Sequence, residues 1–384
     1  MELYVHIPFC AKKCRYCDFA SFVSSNEQMQ EYVDLLLKEA EFCCSAYGHP
    51  EIDTVYIGGG TPSLLPVGLT EHLLSGLFKC FHINNNAEIS IEANPGTVSG
   101  EWLNVCKQNG VNRFSLGMQA AQNSLLKILG RIHNFDDVKK TVSLLRSNDI
   151  RNYNLDLMFG LPGQSAEDWK ETVNAALCLE PAHISCYGLI PEENTPMKAD
   201  LDSGVLSLPE PETERMMYYD AREFLRRHDF RQYEISNFAR PGYECRHNIG
   251  YWKQVPYIGL GLSAASMVNP VHTHGFEYDR YTNPSDFHNY KTEVCLNHNR
   301  LRSAEHISSE ESRFETVMLG LRMNEGIQEN EFTRLHGCTM ESIWLDTLKK
   351  MVERKLMVKE NGSWKLTELG MDLQNTVLIE FMPD

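Results

Sequence analysis

The chain has 384 residues, 42% hydrophobic and 23% charged, which is enough to bury a large core and to make two domains. Its 36 Lys+Arg against 52 Asp+Glu leave a formal net charge of -16, so most of the surface repels a polyanion and nucleic acid is excluded as the main partner. No apolar run reaches membrane-spanning length, and the N-terminus lacks the charged and apolar regions of a signal peptide. The 12 cysteines therefore read as thiols of a cytoplasmic, reducing and oxygen-intolerant protein, not as disulfides.

Leu3–Ile7 reads as a short strand. Directly after it come Cys10, Cys14 and Cys17, spaced C-x3-C-x2-C with no fourth cysteine or histidine close behind. Three thiolates hold three corners of a cubic [4Fe–4S] cluster and leave one iron open to a ligand. A structural zinc site needs four closed ligands. Lys12, Lys13 and Arg15 between the thiols are expected to lower their pKa and favour thiolate. An open-cornered cluster is the preferred reading, with zinc or packed free thiols as the alternatives.

Short apolar strands then alternate with helical patterns. A helix is expected over 27–46 and a strand over Thr54–Ile57, the latter running into Gly58-Gly59-Gly60-Thr61-Pro62. Three glycines in a row suit close backbone approach to a ligand. Helix 67–80, strand Glu88–Glu92, helix 99–109 and strands Arg113–Gly117, Asn154–Met158 and His183–Tyr187 complete the series. These are parallel β/α units. Six strands are too few for the closed eight-stranded barrel, so the fold class is α/β, a partial (β/α)6 barrel over 1–240. Ligand groups in such folds collect at the C-terminal ends of strands, where the cysteine loop, the triple glycine, Glu92, Gln119 and Asp156 fall. A buried Glu92 or Asp156 needs a partner such as an ammonium or a ribose hydroxyl.

Residues 241–300, rich in Tyr, His, Asn and Pro, read as irregular and as wrapping the sheet's open side. They contain His247-Asn248-Ile249-Gly250-Tyr251-Trp252, where His247 suits either an axial haem ligand or a structural hydrogen-bond knot covering the barrel mouth. Over 301–384, helices at 314–322, 328–336 and 340–355 precede a hairpin at Asn361-Gly362, a winged-helix-like module. Its acids outnumber its bases, so packing or partner docking is favoured over DNA.

In order along the chain, His6-Ile7-Pro8-Phe9-Cys10, the GGGTPS run, Ile91-Glu92-Ala93-Asn94-Pro95-Gly96, Gly117-Met118-Gln119, Asp156-Leu157 with Gly160-Leu161-Pro162, and Tyr233–Ala239 resemble the radical S-adenosylmethionine (SAM) superfamily, in its oxygen-independent coproporphyrinogen III oxidase-like branch. The resemblance implies that Cys10, Cys14 and Cys17 hold a [4Fe–4S] cluster whose open iron takes the amino and carboxylate groups of SAM. It places Tyr4 and Tyr16 near the cofactor, Tyr16 beside adenine, and Gly59, Gly60 and Thr61 at the methionyl part. Glu92, Gln119, Arg131 and Asp156 match positions that hydrogen-bond SAM. Two departures put decarboxylation in doubt. Phe19 stands where the oxidase carries a fourth cysteine, and the oxidase's long N-terminal extension has no counterpart. The short N-terminus and the His247–Trp252 run are similar instead to the haem-chaperone branch of the family. That likeness implies haem binding, with His247 involved, and delivery to haem-accepting proteins such as respiratory enzymes. A homodimer is also compatible with the sequence. The competing expectations are the oxidase itself and a haem-modifying radical SAM enzyme.

Overall fold

The computed structural model describes residues 1–271, 275–296 and 302–383. Its main sheet is built from β1 (Glu2–Ile7), β2 (Glu51–Gly59), β3 (His82–Ala93), β4 (Arg113–Gln119), β5 (Tyr153–Phe159), β6 (His183–Gly188), β7 (Arg231–Gln232), β8 (Asn237–Ala239), β9 (Tyr257–Leu260), β10 (Ala265–Val271), β11 (Glu277–Thr282) and β12 (Ser303–Ile307). The strand order is β12-β11-β10-β9-β1-β2-β3-β4-β5-β6-β8-β7, so β1 to β6 lie side by side in chain order and parallel. The order is open at both ends, which makes this the partial barrel expected from six β/α units.

Alternation along the strands explains the layering. Leu3, Val5 and Ile7 are fully buried beneath the helices, while Glu2, Tyr4 and His6 turn to the concave side. Helix Asn26–Ala46 starts at Ser25, whose side chain accepts the Gln28 N–H at 3.3 Å. It buries Met29, Tyr32, Val33, Leu36, Ala40, Cys43 and Cys44 along one stripe. Cys43 and Cys44 thus serve packing, as their helical spacing suggests.

The expectation of an irregular 241–300 is corrected. The described part of that segment holds helices Arg246–Trp252 and Phe287–Cys295 and strands β9 to β11. Strand β9 extends the parallel sheet beside β1, and β10 to β12 continue it antiparallel. Composition misleads here because the concave side of the sheet is itself polar, so Tyr, His and Asn can be core residues. Part of the histidine-rich stretch, at 272–274 and 297–300, lies outside the described residues.

Beyond β12, the helix Ser309–Gly320, β13 (Ile327–Gln328), helices Glu329–His336 and Met340–Glu353, and the β14 (Met357–Glu360)–β15 (Ser363–Leu366) hairpin follow in winged-helix order. They surround their own apolar cluster, including Val317, Phe332, Met351 and Trp364. Among the described residues no helix is long and apolar enough to cross a membrane.

Candidate functional site

The C-terminal ends of the strands enclose a cavity of about 370 Å³. Eleven of the thirteen residues singled out from the sequence line it: Cys10, Cys14, Cys17, Tyr16, Gly59, Gly60, Thr61, Glu92, Gln119, Arg131 and Asp156. Tyr4 and His247 do not.

The cysteine loop is clamped across the mouth from three sides. Cys10 N–H donates to Phe22 O at 3.0 Å, Arg15 N–H to Leu129 O at 3.0 Å, and Met197 N–H to Arg15 O at 3.0 Å. Arg15 itself pairs with Asp200. Cys10 Sγ lies 3.6 Å from Thr61 Oγ1, and Arg131 Nη1 donates to Cys14 Sγ at 3.5 Å. The expectation that nearby cations would lower the thiol pKa values is not met at Cys17. Burial pushes its thiol up and the Cys14 and Cys10 thiols add to the rise, outweighing the Phe19 backbone and Lys13. Thiols crowded in this way need cations to become thiolates, and the irons of a cluster supply them. Among the described residues no three Cys, His, Asp or Glu side chains converge on one point as around a single metal ion. The donor set of the motif, three cysteines without a fourth ligand close behind, suits an open-cornered cube better than zinc.

The glycine run is fixed by packing as well as by any ligand. Gly59 has φ +108°, and a Cβ there would lie 2.4 Å from the His6 ring; one on Gly60 would lie 2.8 Å from Phe9 O. The bare backbone beside them is what the cavity presents.

Glu92 accepts from Tyr56 OH at 2.9 Å and from Gly59 N–H at 3.1 Å. Burial, and then the carboxylate of Asp156, push its pKa up to about 7. Asp156, also raised by burial, accepts from Ser115 Oγ at 2.9 Å and Asn154 Nδ2 at 2.8 Å. Arg131 Nη2 donates to Gly117 O at 3.0 Å and to Asn94 Oδ1, which ties the cysteine loop to β3 and β4. Gln119 sits at φ +64° beside a register shift between β4 and β5, which aims it into the cavity. One end of the cavity thus offers two carboxyl groups and bare backbone, the other three thiols. The first suits a ligand carrying ammonium and hydroxyl groups, the second an iron–sulfur cluster.

Sequence reasoning missed Asn94, Ser115 and Tyr187 as lining residues. Strand parity could have found Ser115, which pairs with Glu92 across β3 and β4.

Tyr4 lies beneath the cavity, its ring stacked 6.4 Å from Tyr56 and its OH 3.0 Å from His6 Nδ1. The reading of His247 as a haem ligand is not supported by its position. It is 1% exposed, at the N-terminal end of the strands. Its Nδ1 is 2.8 Å from Thr54 Oγ1, its Nε2 3.1 Å from Tyr251 OH, and its ring stacks 5.2 Å from Tyr56. Both nitrogens are engaged, so His247 does sit in a hydrogen-bond knot. That knot lies at the N-terminal end of the strands, not over the barrel mouth expected from the sequence.

Residues 4–176 match the model of the radical SAM superfamily and residues 307–373 that of the HemN C-terminal domain. The heme chaperone HemW of Synechocystis sp. is 38% identical over 330 residues, covering 84% of this chain and 78% of that protein. HemW of Bacillus subtilis is 33% identical over 380 residues, covering 99% and 98%. The solved coproporphyrinogen III oxidase (HemN) from Escherichia coli, a radical SAM enzyme, superposes with a TM-score of 0.83 over 99% of this chain and 89% of that one, at 22% identity. That likeness speaks for the fold; the end-to-end similarity at a third identity speaks for the family, and the chain belongs to the HemW family of radical SAM proteins.

Proposed function

We propose that the protein is a haem chaperone on a radical SAM fold, which binds haem and passes it to haem-accepting proteins such as respiratory enzymes. Residues 1–240 form the cofactor domain, and 301–384 a winged-helix-like module for packing or docking. Cys10, Cys14 and Cys17 hold the cluster, which when bound supplies an electron and an open iron for SAM. Glu92 and Asp156 take the cationic and hydroxyl groups of SAM, Gly59, Gly60 and Thr61 border its methionyl part, and Tyr16 its adenine. Gln119 and Arg131 complete the hydrogen bonding, Arg131 also positioning Cys14. The observation that carries the choice of chaperone over oxidase is Phe19. It stands on the cavity wall, 60% exposed, where the oxidase resemblance calls for a fourth cysteine.

The test is anaerobic. Cluster-loaded protein is given dithionite, SAM and coproporphyrinogen III, and the same sample is then titrated with haem. A saturable haem spectrum without protoporphyrinogen is expected. Protoporphyrinogen over many turnovers would make the protein the oxidase.

A further inference from the structure

Several large apolar side chains left in water stand past the C-terminal ends of the strands, a second set lying in the C-terminal module. Phe19, Val23 (66% exposed), Ile132 (56%), Ile190 (70%) and Val205 (71%) stand in the segments that follow the C-terminal ends of β1, β4 and β6, and Tyr187, at the end of β6, is half-exposed. These segments meet around the cavity mouth. Phe19 and Tyr187 line the cavity, and Ile132 follows Arg131, which also lines it. Val205 N–H bonds Asp200 O at 2.9 Å, and the Asp200 carboxylate holds Arg15 of the cysteine loop. An apolar rim round a cavity is a contact surface.

The charges on the rim narrow the occupant. Glu193 turns to Lys198 at 3.5 Å and Asp200 to Arg15, so two acids near Ile190 and Val205 are already paired. Among the described residues no ion pair involves Lys12 or Lys13, although the chain carries a net charge of -16. Lys12 lines the cavity and Lys13 reaches Phe19 O at 2.9 Å. The rim therefore fits a broad apolar ligand with anionic groups along one edge.

We infer that haem lies across this mouth, its macrocycle on Phe19, Ile132, Ile190 and Val205 and its propionates toward Lys12 and Lys13. The placement rests on the haem-chaperone reading and deepens it. It sets haem over the thiol loop, at the opposite end of the strands from His247.

The full chain is titrated with haem, and its fold is checked by circular dichroism. Phe19→Ser combined with Ile190→Ser is expected to weaken binding about tenfold or more, as loss of two partial apolar contacts implies. Lys12→Glu with Lys13→Glu should also weaken it. Ile379→Ser with Met382→Ser, exposed apolar positions of the C-terminal module, should leave it unchanged. In cluster-free protein, haem should slow maleimide labelling of Cys10, Cys14 and Cys17, read by peptide mass spectrometry, while the exposed Cys178 and Cys295 label as before. Wild-type affinity in the Phe19/Ile190 variant, or unslowed labelling of the three thiols, overturns the placement alone. Absence of haem binding by the wild type overturns the chaperone reading itself.

Discussion

The two ends of the sheet's concave side use the same residue types to opposite effect. At the N-terminal end, Glu88 accepts the N–H groups of Arg246 (3.1 Å) and His247 (3.2 Å), and His247 spends both ring nitrogens on Thr54 and Tyr251. His183 likewise bonds Asn154 Oδ1 at 2.7 Å and Tyr233 OH at 2.8 Å. Burial pushes His247 down to about 3 and His183 well below its usual range, so both are neutral imidazoles locked in place. At the other end, Glu92, Asp156 and Arg131 are partly buried and hydrogen-bonded, but each borders the cavity as well. A buried polar group therefore does not by itself mark a site. A group held by protein on one side, with a cavity on the other, does.

The largest expected effect separates the ends outright. Cys14→Ala should abolish the visible iron–sulfur absorption after anaerobic reconstitution; retention of full cluster absorption would remove Cys14 from the ligand set. His247→Ala should reconstitute normally. It should instead lower stability to urea by about 2–4 kcal/mol, the usual cost of a cavity with unpaired buried partners. Were His247→Ala as stable as the wild type but unable to bind haem, the histidine would be a ligand and the contrast between the two ends would collapse.

Much of this was legible in the sequence, and the misses have one cause. Strand ends, helix stripes and the cysteine spacing are local signals, and they located β1 to β6 and nine of the cavity residues, while Tyr16 and Arg131 came only from the family resemblance. His247 looked like a ligand because its neighbours Tyr251 and Trp252 are aromatic, but its partners, Thr54 and Tyr56, lie nearly two hundred residues away in sequence. No local pattern reports that. The triple glycine shows the same limit. Its spacing suggested a ligand, whereas the His6 ring and Phe9 carbonyl that also forbid a side chain come from β1 and the loop after it. The thiol pKa failed similarly, because the lysines are near in sequence while burial, which dominates at Cys17, is a property of the whole loop.

The smallest expected effect concerns Glu92 and sharpens the same contrast, because a carboxyl beside an open cavity remains free to answer a ligand. Its pKa is raised to about 7 by burial and by Asp156. SAM brings a sulfonium and, on its iron-bound amino group, N–H donors, both of which favour the carboxylate. Below pH 7 binding must first displace the Glu92 proton, so affinity should fall as pH drops, by up to about tenfold per pH unit, and level off above the pKa. Calorimetry of the cluster-loaded protein between about pH 6 and about pH 8 reads this directly. Glu92→Gln should remove most of the slope and weaken binding at the upper end by about tenfold, the worth of one charge-assisted contact. A wild-type affinity that stays flat across that range, with Glu92→Gln still weaker, would mean that Glu92 is a carboxylate throughout, and that neither its burial nor the neighbouring Asp156, whose own rise Ser115 and Asn154 oppose, holds a proton on it.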